Sequence, residues 1–258
     1  MRIDQLLVQQ GLAASRSQAQ RLIAAGVSWR LPVPAGNPWR AVRKSGDGVP
    51  AFAELMLADD SESRYVSRGG LKLAGALAEA GVSVQGKLCL DVGQSTGGFT
   101  DCLLQAGAAH VVGVDVGHGQ LHPRLRADPH VTCLEKTNAR ELDATVLIAA
   151  HAGLARAGGQ FGLITGDLSF ISLTLVLPAL VPLLQPGGAL LMLVKPQFEL
   201  QPGQVGKGGL VKDAALHAVV EQRIRAACAA LGLQVRRWLD SPISGGDGNR
   251  EFFVYATR

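Results

Sequence analysis

Apolar positions along the chain change their spacing several times, and the changes separate two kinds of unit. Ile3, Leu6, Leu7 and Val8 predict one short amphipathic helix that Gly11 ends. Ala19, Leu22 and Ile23 recur at helical spacing behind Ser15, a capping residue, and Gly26 stops this second helix. After Ser28 the period is lost in a stretch rich in Pro and Gly, WRLPVPAGNPWRAVRKSGDGVPAF, from which no strand boundary can be read. The polar run ADDSESRYV (58–66) reads as a linker, which predicts units 1–59 and 60–258. Beyond it, helical and strand-like runs alternate. SRGGLKLAGALAEAG is a turn and a helix with Leu71, Leu73, Ala74 and Leu77 inward. Apolar runs ending near Asp91, Asp115, Leu134, Asp167 and Lys195 read as strands, with a helix from Leu173 to Leu184, another over 213–231, and two last strands in LQVRRWLDSPI and REFFVYAT. This alternation predicts an α/β class with an open, mostly parallel seven-stranded sheet. The final two strands share so short a loop that one must run antiparallel. In such a sheet the ligand crevice lies at the carboxyl ends of the strands, so Asp91, Asp115, Asp167 and Lys195 are expected along one rim.

The stretch KLCLDVGQSTGGF (87–99) carries the most chemistry. A buried strand breaks into Gly93, Gly97 and Gly98 before a helix resumes at Thr100. Such a turn brings backbone N–H groups and the positive end of a helix dipole close to a ligand, with no β-carbons in the way. A dinucleotide turn is G-x-G-x-x-G; here an acid stands two residues before Gly93, and three residues separate Gly93 from Gly97. The pattern resembles motif I of the S-adenosylmethionine methyltransferases, which implies cofactor contacts from Asp91, Gly93, Ser95, Thr96, Gly97, Gly98 and Phe99. VVGVDVG (111–117) ends a second strand in Asp115, an acid placed to bond ribose hydroxyls, and Asn138 in VTCLEKTNAREL is placed for an adenine edge.

Composition adds a location for nucleic acid. The 258 residues are 47% apolar with a net charge of only +4, enough for a buried core. Residues 1–50, however, hold seven basic side chains (Arg2, Arg16, Arg21, Arg30, Arg40, Arg43, Lys44) against two acids, Asp4 and Asp47, an electrostatic footprint suited to RNA. Trp29 and Trp39 beside arginines could stack on bases or simply anchor a loop. Cys89, Cys102, Cys133 and Cys228 form no C-x-x-C pair and read as core residues of a reducing compartment. Met1 is followed at once by polar residues, so no secretory segment is expected, and the apolar run 173–194 is cut by three prolines and a glycine pair, so no membrane span is expected. A cytoplasmic protein is the reading. His118 and His122 lack a third ligand, and no metal is expected.

The text RIDQLLVQQGLAASRSQAQRLIAAGVS resembles an S4-type RNA-binding module. SRGGLKL, DVG-x-STGGFTDCLLQ, GDLSFISL, LVKPQFE, VGKGG and SPI-x-G-x-x-GN-x-EF resemble the TlyA or hemolysin-like family of ribosomal RNA ribose 2′-O-methyltransferases, which join an S4 domain to an FtsJ-type catalytic domain. The resemblance covers nearly the whole chain except 29–57. It implies a Rossmann-like methyltransferase fold, S-adenosylmethionine as cofactor, ribosomal RNA or ribosomal subunits as partner, and RNA contacts from Arg2, Arg16, Arg21, Arg68 and Lys207. It also implies a catalytic Lys-Asp-Lys-Glu tetrad, which matches Lys72, Asp167, Lys195 and Glu251. Three positions depart: Gln94, which predicts crowding of the cofactor turn, His118 in place of an aromatic, and Arg250.

A tetrad of this kind suits transfer to a hydroxyl, which needs two substrates positioned and a proton removed. A free lysine, with a pKa of about 10.4, is protonated at neutral pH; a second ammonium and partial burial both disfavour the charged form. Lys195 is therefore expected to take the proton with help from Lys72, and the two acids to orient them. Two other classes remain open at this point: an RNA-binding sensor of S-adenosylmethionine without catalysis, and a membrane-active hemolysin-like protein.

Overall fold

The computed structural model describes residues 1–13, 15–32, 37–58 and 64–258. The chain divides into two compact units, Met1–Arg68 and Gly69–Arg258. The expected boundary between residues 59 and 60 falls outside the described residues.

In the first unit, helices Ile3–Gln9 and Arg16–Gly26 bury Ile3, Leu6, Leu7, Ala19 and Leu22 completely. Ser15 caps the second helix, its Oγ accepting from the Gln18 N–H at 3.2 Å. Strands β1 (Val27–Arg30), β2 (Arg40–Ala41) and β3 (Glu54–Leu57) form an antiparallel sheet in the order β2-β1-β3. The Pro- and Gly-rich stretch thus does hold strands. In β1 only Val27 and Trp29 turn to the core, too short an alternation to read without its partners.

The second unit is built on β4 (Leu88–Val92), β5 (His110–Val114), β6 (Val131–Leu134), β7 (Phe161–Gly166), β8 (Leu184–Val194), β9 (Gln234–Asp240) and β10 (Phe252–Thr257). The sheet order is β6-β5-β4-β7-β8-β10-β9, parallel except for β10, which runs antiparallel to both neighbours. Every residue of β5 and β7 is buried, as expected of strands covered on both faces. One face is covered by helix Ala214–Ala230 through Val220, Ile224 and Cys228; helices Gly69–Ala80 and Gly98–Gln105 pack on each other elsewhere in the unit. The chain leaves β4 toward β5 on one side and returns to β7 on the other, and that reversal opens the crevice at the carboxyl ends.

The helix expected from Leu173 to Leu184 is corrected by the structure. It is three short turns, Leu173–Leu175, Leu177–Leu180 and Val181–Leu183, because Pro178 and Pro182 supply no N–H to extend a helix. Among the described residues no helix is long and apolar enough to cross a membrane.

Candidate active site

The turn after β4 depends on two glycines. Gly93 has φ of +86°, and a β-carbon there would stand 2.8 Å from the Asp167 carbonyl oxygen; glycine lets the ends of β4 and β7 come together. Gly97 (φ +94°) is the N-cap of helix Gly98–Gln105, and its β-carbon would overlap Leu121 and Leu125. The Ser95 N–H donates to Asp115 Oδ2 and the Gly117 N–H to Asp115 Oδ1, each at 2.7 Å, so the acid at the end of β5 fastens the turn. Between them lies a cleft of about 310 Å³, lined by Gly93, Ser95, Asp115, Thr137, Asp167 and Phe170 among others, within the size range of small-molecule sites.

Beneath the turn is a buried polar chain. The Thr100 hydroxyl donates to Asp91 Oδ2 at 2.7 Å, and the Gln94 amide donates to Thr100 Oγ1 at 2.9 Å. Burial pushes the fully enclosed Asp91 up to about 7; the Thr100 bond opposes this, and the nearby Asp167 and Asp115 charges add to it. The crowding expected from Gln94 does not occur. Its side chain is buried and turned under the loop against β5, where a β-carbon on Gly113 would come within 1.9 Å of the amide. Glycine at 113 makes the pit, and the turn above stays open.

The four tetrad residues come together as two ion pairs. Lys72, on helix Gly69–Ala80, donates to Glu251 Oε2 at 2.5 Å, and both are buried, 7% and 3% exposed. Lys195, just after β8, has its Nζ 2.5 Å from Asp167 Oδ1, just after β7. That ion pair lies outside hydrogen-bonding geometry; Lys195 Nζ donates instead to Ser169 Oγ at 2.9 Å. The pairs are electrostatically joined. Burial raises the Glu251 carboxyl above the usual range, Lys72 and Lys195 pull it down, and Asp167 pushes it up. Asp167 and Ser169 line the cleft, so the Lys195 pair faces the ligand space, while the Lys72 pair is buried. Phe170 follows with φ of +64° and 90% exposure, a left-handed conformation that is unusual for a bulky side chain.

Residues 65–258 match the family model of the FtsJ-like methyltransferases, and residues 1–26 that of the S4 domain. The chain belongs to the FtsJ-like methyltransferase family. It is 44% identical to the 16S/23S rRNA (cytidine-2'-O)-methyltransferase TlyA of Mycobacterium tuberculosis, over 98% of this chain and 88% of the relative. It is equally similar, 44%, to YqxC of Bacillus subtilis, over 98% of this chain and 84% of that one. The solved structure of a hemolysin-named protein from Streptococcus thermophilus superposes with a TM-score of 0.74 and 39% identity, covering 100% of this chain and 88% of the other.

The remaining expected site residues differ in exposure and in partners. Gly97, Gly98 and Phe99 are buried, and Phe99 stacks on Phe253 at 6.1 Å. Asn138 does not line the cleft, though Thr137 and Ala139 do; its amide accepts from the Arg140 N–H and donates to Glu141 at 2.8 Å. Thr96 is exposed beside the turn, and its carbonyl accepts from the His122 N–H. His118 is exposed, and among the described residues no cluster of three metal-ligating side chains occurs. In the first unit, Arg2 and Arg16 both bond the buried Asp4 at 3.0 Å, and the Arg2 bond above all holds that carboxyl at about 2. Arg21 donates to the Ser17 carbonyl of its own helix. The arginines of the small sheet lie over its rings, Arg30 over Trp39 at 4.6 Å and Arg40 over Trp29 at 5.2 Å. Arg68 is half-buried and Lys207 exposed in a short turn, Lys207–Gly209.

Two residues outside the expected set organise the site. Ser169, in GDLSF, orients Lys195. Asn249, in GN-x-EF, is 1% exposed, accepts from the Val211 N–H and donates to the Gly209 carbonyl and Asp247. It ties the glycine-rich segment to the loop that delivers Glu251. Both lie inside legible motifs, but their partners are distant in sequence.

Proposed function

We propose that this protein transfers the methyl group of S-adenosylmethionine to a ribose 2′-hydroxyl of ribosomal RNA, with cytidine as the target nucleotide. The observation that carries the reading is the Lys195–Asp167 pair at the cleft, backed by the buried Lys72–Glu251 pair. The residues present fit the cofactor: the glycine-lined turn leaves backbone approachable, Asp115 keeps lone pairs free for ribose hydroxyls beyond its two backbone bonds, and the Asp167 carboxylate suits a cationic centre. S-adenosylmethionine supplies a sulfonium-activated methyl group. Lys195, in its neutral form, takes the hydroxyl proton; Asp167 and Ser169 fix the position of its Nζ. Lys72 and Glu251 are positioning residues that hold charge next to that amine. The basic first unit adds affinity for the RNA backbone. The 44% identity to a protein named as an rRNA (cytidine-2'-O)-methyltransferase supports both the acceptor atom and the base.

The test is to incubate unmodified small and large subunits with the protein and methyl-labelled S-adenosylmethionine, then digest the RNA with alkali. Label is expected in alkali-resistant dinucleotides bearing 2′-O-methylcytidine. Label confined to bases, or absent from both subunits, would overturn the reading.

A further inference from the structure

A second concavity adjoins the cleft. It is a groove of about 590 Å³ that shares Phe170 with the cofactor cleft and continues over Leu175, Phe198, Arg140 and Arg223. Phe170 and Phe198 are paired, ring centres 5.1 Å apart at 49°, and Leu175 is 52% exposed. Apolar surface of this extent left in water asks for a ligand with a flat face.

The exposed charge of the groove has one sign. Arg140 is exposed, and its guanidinium has no partner among the described residues. Arg223 is exposed and donates from Nη1 to the Glu199 carbonyl, which fixes it at the groove edge with its other donors open. The acid in the lining, Glu199, is 3% exposed and turned inward, accepting from the Ser172 hydroxyl at 2.5 Å and the Leu173 N–H at 2.7 Å. Two guanidinium groups beside an aromatic and aliphatic floor form the combination that holds unstacked nucleotides, with the base on a ring and the phosphate on a fork of N–H donors.

We propose that this groove is a second nucleotide subsite, which takes the RNA residue adjoining the methylated one. The proposal rests on the RNA-methylating reading of the main cleft and extends it. Phe170 divides the two spaces. An RNA chain with its target ribose at Lys195 has its neighbouring base on Phe198 and the intervening phosphate between Arg140 and Arg223.

Equilibrium binding to unmodified ribosomal subunits, measured by filter retention between 50 and 200 mM salt, tests the groove independently of methyl transfer. Arg140→Ala/Arg223→Ala should weaken subunit binding about tenfold or more. It should also lower the slope of log Kd against log salt by about 0.7, as loss of one neutralised single-strand phosphate requires. S-adenosylmethionine affinity should not change. Phe198→Ala should weaken binding with the salt slope intact, and Phe198→Tyr should restore it. Binding by the double variant within twofold of the parent at every salt overturns the proposal. So does a lowered slope with no effect of Phe198→Ala, since that leaves charge without a base site. Parent protein that binds subunits but labels no ribose overturns the reaction alone, and parent protein that binds neither subunit overturns both.

Discussion

Replacing Lys72 with Met strands Glu251. That carboxylate is 3% exposed, and the Lys72 ammonium at 2.5 Å is its hydrogen-bond donor. Removing one side of a buried ion pair costs about 3–5 kcal/mol, a large share of the roughly 5–15 kcal/mol that holds a domain folded. At about 2–4 °C per kcal/mol for a unit of this size, the thermal midpoint should fall by roughly 6–20 °C. The loss should depend on pH with a definite sign. Burial already raises the Glu251 carboxyl, and Lys72 opposes that rise, so the variant's folded carboxyl titrates higher still. A group whose folded pKa lies above its unfolded value of about 4.3 stabilises the fold while protonated, and loses that contribution as pH rises through the folded value. Urea unfolding followed by circular dichroism should therefore show a deficit that grows as pH rises above the unfolded carboxyl's value of about 4.3. Adding Glu251→Leu should recover most of the stability, because the pair is replaced by apolar atoms, while methyl transfer stays absent. A deficit independent of pH, or a double variant no more stable than Lys72→Met, would refute the reasoning.

Lys195→Ala should abolish transfer to RNA and leave calorimetric S-adenosylmethionine affinity within about threefold; loss of that affinity would move Lys195 from the hydroxyl side to the cofactor side. Gly93→Ala should lose cofactor binding, since its β-carbon would stand 2.8 Å from the Asp167 carbonyl in a backbone at φ +86°; unchanged binding would show that the turn can shift. Gly113→Ala should cost about 1–3 kcal/mol by overpacking Gln94, and the cost should largely vanish in a Gln94→Ala background. Additive costs in urea unfolding would disprove the contact.

The inner strands of the large sheet, β5 and β7, were legible because they are buried on both faces, so each is a short apolar run closed by a polar residue, at Asp115 and Asp167. The glycine turn after β4 was legible for a similar local reason: spacing of Gly93 and Gly97 along the chain is spacing in space. Properties made by two distant segments were not. Gln94 reads as too large for its turn until Gly113 is seen beneath it. Asn138 reads as a free amide until the one-turn helix Ala139–Glu141 claims both its ends. β1 and β3 alternate over four residues each, fewer than a period needs to stand out.

The tetrad shows how the two kinds of information combine. Each member is local to a motif, but Lys72 and Glu251 are 179 positions apart, and nothing in either motif says that they touch. The reversed strand supplies the connection. Parallel strands present their last residues at the crevice, which accounts for Asp167 after β7 and Lys195 after β8. β10 runs the other way, with Phe252 opposite Val194, so it presents its first residue there, and Glu251 arrives beside Lys195. A parallel strand in that place would carry Glu251 to the opposite edge of the sheet. The antiparallel direction, forced by the short loop after β9, is therefore what completes the charge cluster.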